Sequence, residues 1–109
     1  AAIGPGIGSC CFAVGAEVRD LYVARFSYAT ELFTAREKLY LDLVEANRRQ
    51  LLEAGLSREA IFSSNDCTSC QTDRFFSYRA EQGKTGRMMA VIGIVPSRTS
   101  VTLGVDEVA

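Results

Sequence analysis

Apolar residues recur at helical spacing in the first half of the chain and at strand spacing in parts of the second. Val14, Val18, Leu21, Tyr22 and Phe26 predict a helix over about 14–26. Glu17 and Asp20 stand early in it and Arg25 late, the order its dipole favours. Residues 27–38 carry no deciding pattern. A stronger helix is predicted over 39–54, with Tyr40, Leu43, Val44, Asn47 and Leu51 on one face. Gly55 supplies a left-handed stop, so Leu56 can fold back onto Leu51 as a Schellman motif requires. Ser57 is placed to cap a short turn through Ala60.

Short strands are predicted next, at Ile61-Phe62-Ser63 and over 74–79. In the latter, Phe76 and Tyr78 point one way while Phe75, Ser77 and Arg79 point the other. A turn with Gly83 and Gly86 leads to residues 88–95, apolar on both faces as in a strand covered on both sides. Pro96 ends that strand, and Val101-Thr102-Leu103 reads as an edge strand. At the other end, Ala1-Ala2-Ile3 reads as the close of a strand running into a glycine loop. A domain rarely begins there, so the chain reads as a piece of a longer one. Uncovered, the tract at 88–95 needs a missing segment or a second copy, which predicts a homo-oligomer or association with a missing N-terminal part.

With 109 residues the chain suits one small domain, and a net charge of −1 gives no reason to expect nucleic acid or an anionic membrane as partner. The N-terminal stretch is uncharged up to Glu17, but Gly4, Pro5, Gly6, Gly8 and Gly15 unsuit it for spanning a membrane. It also lacks the basic start of a signal peptide, so a cytoplasmic setting with reduced thiols is expected. There is no histidine, which removes Ser-His and Cys-His catalysis and any histidine-ligated metal from within this chain.

Three constellations carry candidate chemistry. Gly4-Pro5-Gly6-Ile7-Gly8 is either an anion-binding loop or a tight loop through which backbone approaches another layer. It has neither the lysine of a phosphate-binding loop nor the glycine spacing of a dinucleotide fold. Cys10-Cys11 and Cys67-x-x-Cys70 are read as free thiols. Redox work is disfavoured because a strand, not a helix, is predicted after Cys70. A four-thiolate zinc site is disfavoured because adjacent cysteines do not readily chelate one ion. Phe75, Ser77 and Arg79 together offer stacking, a hydroxyl and a bidentate cation to a nucleoside- or phosphate-sized ligand. The plain alternatives are ion pairs of Arg79 and Arg87 with Glu81 or Asp73. For Asn47 the choice lies between a structural hydrogen bond and the polar floor of a pocket.

These motifs together carry a resemblance. Ala2-Ile3-Gly4-Pro5-x-Ile7-Gly8-x-Cys10-Cys11-Phe12-x-Val14-Gly15, then Asp42-Leu43-x-x-Ala46-Asn47-x-x-Gln50-Leu51-x-x-Ala54-Gly55, then Cys67-Thr68, Phe75-Phe76-Ser77-Tyr78-Arg79 and Thr85-Gly86-Arg87-Met88 resemble the YfiH-like family. That family is also called laccase-domain, polyphenol oxidase or purine nucleoside phosphorylase. The resemblance implies an α/β (α+β) fold, a mixed β-sheet sandwich flanked by helices, of which residues 1–96 are the C-terminal half and 97–109 an extension. It implies metal-dependent chemistry on purine nucleosides: phosphorolysis of adenosine, inosine, guanosine and methylthioadenosine, and deamination of adenosine. Zinc is the implied metal, or copper under the older phenol-oxidising description. The family's two histidine ligands and one cysteine ligand lie upstream of the glycine loop, so no metal or catalytic residue is assigned here, and the chain alone is expected to be inactive. Ser77 and Arg79 are the candidate substrate-binding residues; Gly4, Pro5, Gly8, Asn47, Cys67 and Arg87 are taken as structural.

Overall fold

A computed structural model describes residues 1–96, and the expected edge strand at Val101-Thr102-Leu103 lies outside the described residues. The chain opens, as expected, on a strand. β1 (Ala2–Ile3) pairs in parallel with β5 (Phe62–Ser63), Ala2 opposite Phe62 and Ile3 opposite Ser63. Parallel strands need a long crossover. Here it comprises β2 (Ala13–Val14), α1 (Ala16–Arg25), a 3-10 turn at Ala29–Leu32, β3 (Phe33–Ala35), β4 (Leu39–Leu41), α2 (Leu43–Glu53) and a second 3-10 turn at Arg58–Ala60. β2, β4 and β3 form an antiparallel sheet in that order, with Tyr40 opposite both Ala13 and Thr34. The class is therefore mixed, α+β, as read from the sequence.

α1 begins after Gly15, because Ala13 and Val14 are taken up by β2. Its half-buried line is Val18, Tyr22 and Phe26, at i, i+4 and i+8, packed on the core. Leu21 is 72% exposed. At about 100° per residue it falls to one side of that line.

The helix expected over 39–54 begins four residues later. Leu39, Tyr40 and Leu41 are instead the central strand of the antiparallel sheet. Asp42 decides the boundary: its carboxylate accepts the Glu45 amide at 3.0 Å as an N-cap. Asp42→Ala is expected to cost about 1 kcal/mol. The check is a lower urea midpoint with an unchanged denaturant slope. At the other end the Schellman motif forms as predicted. Gly55 sits at φ 108°, Leu56 N–H donates to Leu51 O at 3.2 Å and Gly55 N–H to Leu52 O at 3.1 Å.

The core lies between α1, α2 and the antiparallel sheet. Tyr28, Leu32, Leu41 and Ala46 are its buried centre, with Phe12, Val14, Val18, Tyr22, Phe26, Phe33 and Leu43 packed around it. Tyr22 meets Phe33 edge-on at 5.6 Å, and Phe26 stacks on Tyr28 at 5.3 Å. The Tyr28 hydroxyl donates to Glu53 at 2.9 Å, which ties the stack to α2. Arg48 donates to the Ser63 hydroxyl at 2.7 Å, which ties α2 to β5.

Two expectations fail, at 74–79 and 88–95, and a third is met only in part. Asn47 is exposed and not buried on the helix face, but it does border an open groove with Ala2, Ile3, Gln50 and Leu51. Residues 74–79 form turns, because Ser77 and Glu81 satisfy that backbone locally. The Ser77 amide donates to the Glu81 carboxylate (2.9 Å), the Ala80 amide to the Ser77 hydroxyl (3.2 Å) and the Glu81 amide to Ser77 O (2.9 Å). Residues 88–95 form no strand and are exposed throughout, since no strand among the described residues lies beside them to complete a ladder.

Candidate functional site

The glycine loop and the segment after β5 run side by side. Gly6 bridges Cys67 in parallel, and the Thr68 amide donates to Gly6 O at 3.0 Å. Neighbouring residues on these two strips face opposite ways. Ile7 and Thr68 line one cavity; Gly8 and Cys67 line another.

The first cavity, about 280 Å³, is walled by Ile7, Phe12, Thr68, Phe76, Ser77, Tyr78 and Arg79. Both predicted substrate-binding residues are therefore in one pocket, although not on a strand face. Ser77 is buried, and its hydroxyl is taken by the Ala80 amide. Its part in the pocket is to hold the turn that presents Tyr78 and Arg79. Glu81 completes that turn: the Thr85 hydroxyl (2.6 Å) and then the Ser77 amide hold its carboxyl below the usual range. Arg79 is exposed, donates to Ala13 O at 2.8 Å and lies 5.0 Å over the Phe12 ring. Neither Glu81 nor Asp73 pairs with it among the described residues. Anchored through one nitrogen, the guanidinium keeps donors for an anion beside three aromatic rings. Gly86 is needed behind them, since a Cβ there would stand 2.8 Å from the Phe76 ring. Arg87 is exposed outside this wall. Gly4 has open space where a Cβ would stand, so the close approach expected of the glycine loop occurs at Gly8, not there. Helix α1 starts well downstream, so the loop is not the anion-binding start of a helix.

On the other side the four cysteines converge. Their Sγ atoms all lie within 4.8 Å of one another. Cys70 is 3.5 Å from Cys10 and 3.4 Å from Cys11. Spacing along the chain argued that adjacent cysteines do not readily chelate one ion, yet here both stand within reach of the same neighbours. A tight turn, in which the Cys11 and Phe12 amides both donate to Gly8 O at 3.0 Å, brings both thiols to one partner. A second turn, closed by the Gln71 amide on Cys67 O at 3.1 Å, presents Cys67 with Cys70. The pairing of β1 with β5 and the Gly6–Cys67 bridge beyond it set the two turns face to face, so local spacing could not reveal the cluster. A Cβ on Gly8 would stand 3.2 Å from Cys67 Cβ and 3.3 Å from Cys10 Sγ.

The thiols do not titrate alike. Burial alone would raise Cys67, but the amides of Gly8, Cys70 and Ser69 and the Cys10 thiol outweigh it and bring it down to about 6. Cys10 is pushed up to about 12, first by burial, then by its thiol neighbours and the charge on Cys67. One thiolate thus forms readily at neutral pH and suppresses the next. The cluster is a donor set that could hold a metal ion. The two-histidine set implied by the sequence resemblance cannot be met, as the chain has no histidine.

Among the described residues no helix is long and apolar enough to cross a membrane. Residues 1–95 match the family described as multi-copper polyphenol oxidoreductase laccase. The purine nucleoside phosphorylase YlmD of Geobacillus stearothermophilus is 45% identical over 95 residues, covering 84% of this chain and 35% of that protein. YlmD of Bacillus subtilis is 41% identical over 97 residues, covering 86% and 34%. The crystal structure of the hypothetical protein YfiH of Bacillus licheniformis superposes with a TM-score of 0.71 at 42% identity, over 78% of this chain and 33% of that one. The chain thus spans about a third of the length of these relatives, less than the half that the resemblance implied.

Proposed function

The chain belongs to the multi-copper polyphenol oxidoreductase laccase family, and from that premise we propose that it forms one wall of a purine nucleoside phosphorylase. In phosphorolysis a phosphate oxygen bonds to ribose C1′ as the glycosidic C–N bond breaks. The base leaves with its bonding pair and takes a proton. The demand on a pocket wall is to hold an anion near the sugar and a flat base against apolar faces. Arg79 beside Phe12, Phe76 and Tyr78 meets both demands, and this is the observation that carries the reading. Adenosine, inosine, guanosine and methylthioadenosine are the substrates proposed, with adenosine deamination as a second activity. A zinc or copper ion belonging to that chemistry has no histidine ligand here, so no step is assigned to it.

On this reading the remaining wall comes from sequence corresponding to the other two-thirds of the relatives, and the exposed apolar tract at 88–95 is proposed to pack against it. The 109-residue chain alone is expected to show no phosphate-dependent release of hypoxanthine from inosine, whereas the longer protein that carries it does. In that longer protein Arg79→Ala is expected to raise the KM for phosphate about tenfold or more, the loss of a charge-assisted hydrogen bond worth about 1.5–3 kcal/mol. Turnover by the chain alone, or an unchanged KM for phosphate in the variant, overturns the reading.

A further inference from the structure

We propose that Cys10, Cys11, Cys67 and Cys70 bind a single zinc ion as four thiolate ligands, and that this ion clamps the glycine loop to the segment after β5. The first support is distance. Zinc bound at about 2.3 Å by four sulfurs in a tetrahedron sets them roughly 3.8 Å apart. The cysteines have two Sγ pairs at 3.5 and 3.4 Å and every pair within 4.8 Å. Disulfides would pair the four exclusively, whereas Cys70 Sγ stands almost equally close to Cys10 and Cys11, as around one shared centre. Clusters of several irons need their thiolates spread around more than one metal atom.

The second support is the outer shell. The Gly8 amide donates to Cys67 Sγ at 3.2 Å, from the opposite loop. Amides aimed at sulfur stabilise a thiolate and fix its direction, as partners of metal ligands generally do. Four thiolates and one zinc ion carry net negative charge, and a cation stands beside them. Arg36 donates to Ser9 O at 3.1 Å and to Cys10 O at 3.4 Å, which holds its guanidinium against the loop that bears Cys10 and Cys11. Gly8 is the third support, because a larger residue there would push into Cys10 and Cys67 together. A small chain with few fully buried side chains among its described residues gains much from such a clamp, since metal binding adds directly to folding.

The test is zinc content of the reduced 109-residue protein after equilibration with zinc and gel filtration. About one ion per chain is expected, with four thiols that react with a disulfide reagent only after a chelator is added. Cobalt in place of zinc is expected to give tetrahedral ligand-field bands with thiolate charge transfer of four-sulfur intensity. Cys11→Ser and Cys70→Ser should each weaken zinc by more than about tenfold, and Gly8→Ala, which keeps all four thiols, by about tenfold. If a serine variant is poorly folded, the chelator-dependent thiol count of the unaltered protein decides alone. Four thiols freely reactive with zinc present, a disulfide that forms in preference to zinc binding, or an unchanged cobalt spectrum in Cys10→Ser overturns the proposal.

Discussion

Leu41→Ala is expected to lower the melting temperature by more than about 10 °C. Leu41 is only 2% exposed and, with Leu32, is among the largest side chains wholly inside. It sits at the end of the central strand, where its amide donates to Phe12 O at 3.1 Å and its side chain meets Leu32, Tyr28 and Ala46. Removing a buried leucine costs about 2–5 kcal/mol through lost burial and the cavity left behind. In a domain of this size each kcal/mol moves the midpoint by about 4–8 °C. Leu21→Ala makes the same chemical deletion on the outer side of α1 and is expected to stay within about 0.5 kcal/mol of the parent. Thermal denaturation of the two variants side by side checks this. Equal losses would mean that the core is not where the packing puts it.

Leu21 also shows how far the sequence could be read. Helical periodicity placed it with Val18, Tyr22 and Phe26, but a stripe read from spacing has edges, and only the packed neighbours decide which edge is covered. Features fixed by a few adjacent residues were legible: β1, the strand at 61–63, and the Schellman stop at Gly55. The start of α2 was legible in principle, since Asp42 followed by Glu45 is an N-cap pattern. The apolar run Leu39-Tyr40-Leu41 hid it by extending the helical pattern backwards. Ser77 misled in the opposite way. Alternation over 74–79 suggested a strand, yet the Glu81 carboxylate, four residues on, captures the Ser77 amide and turns the chain.

The site was legible in part for the same reason. Ser77 and Arg79 share a pocket because they share a turn, which short spacing can show. Their neighbours Ile7, Phe12 and Thr68 arrive by tertiary contact, and so does the cysteine quartet. The arguments against a four-thiolate site weighed each cysteine pair by its own spacing. The pairing of β1 with β5 brings together two turns more than fifty residues apart, each presenting two thiols in one direction.

Lysine at Ile92 and Ile94 is expected to act with opposite sign in the isolated chain and in the longer protein. In the chain described here Ile94 is 100% exposed, and Met89, Val91 and Ile92 are nearly as open. A contiguous apolar tract of this kind drives association through the burial it lacks. If the 109-residue chain self-associates through this tract, two charges there should shift it towards monomer in light scattering. If the longer protein covers the tract as a strand buried on both faces, the same charges must enter an apolar layer without partners. An unpaired buried charge costs several kcal/mol. A doubly substituted longer protein should therefore lose solubility, together with the proposed purine nucleoside turnover, while the doubly substituted 109-residue chain improves. If the longer protein tolerates both lysines with its melting temperature unchanged, the tract stays exposed in the whole molecule, and the proposed contact with the remaining two-thirds of the protein is wrong.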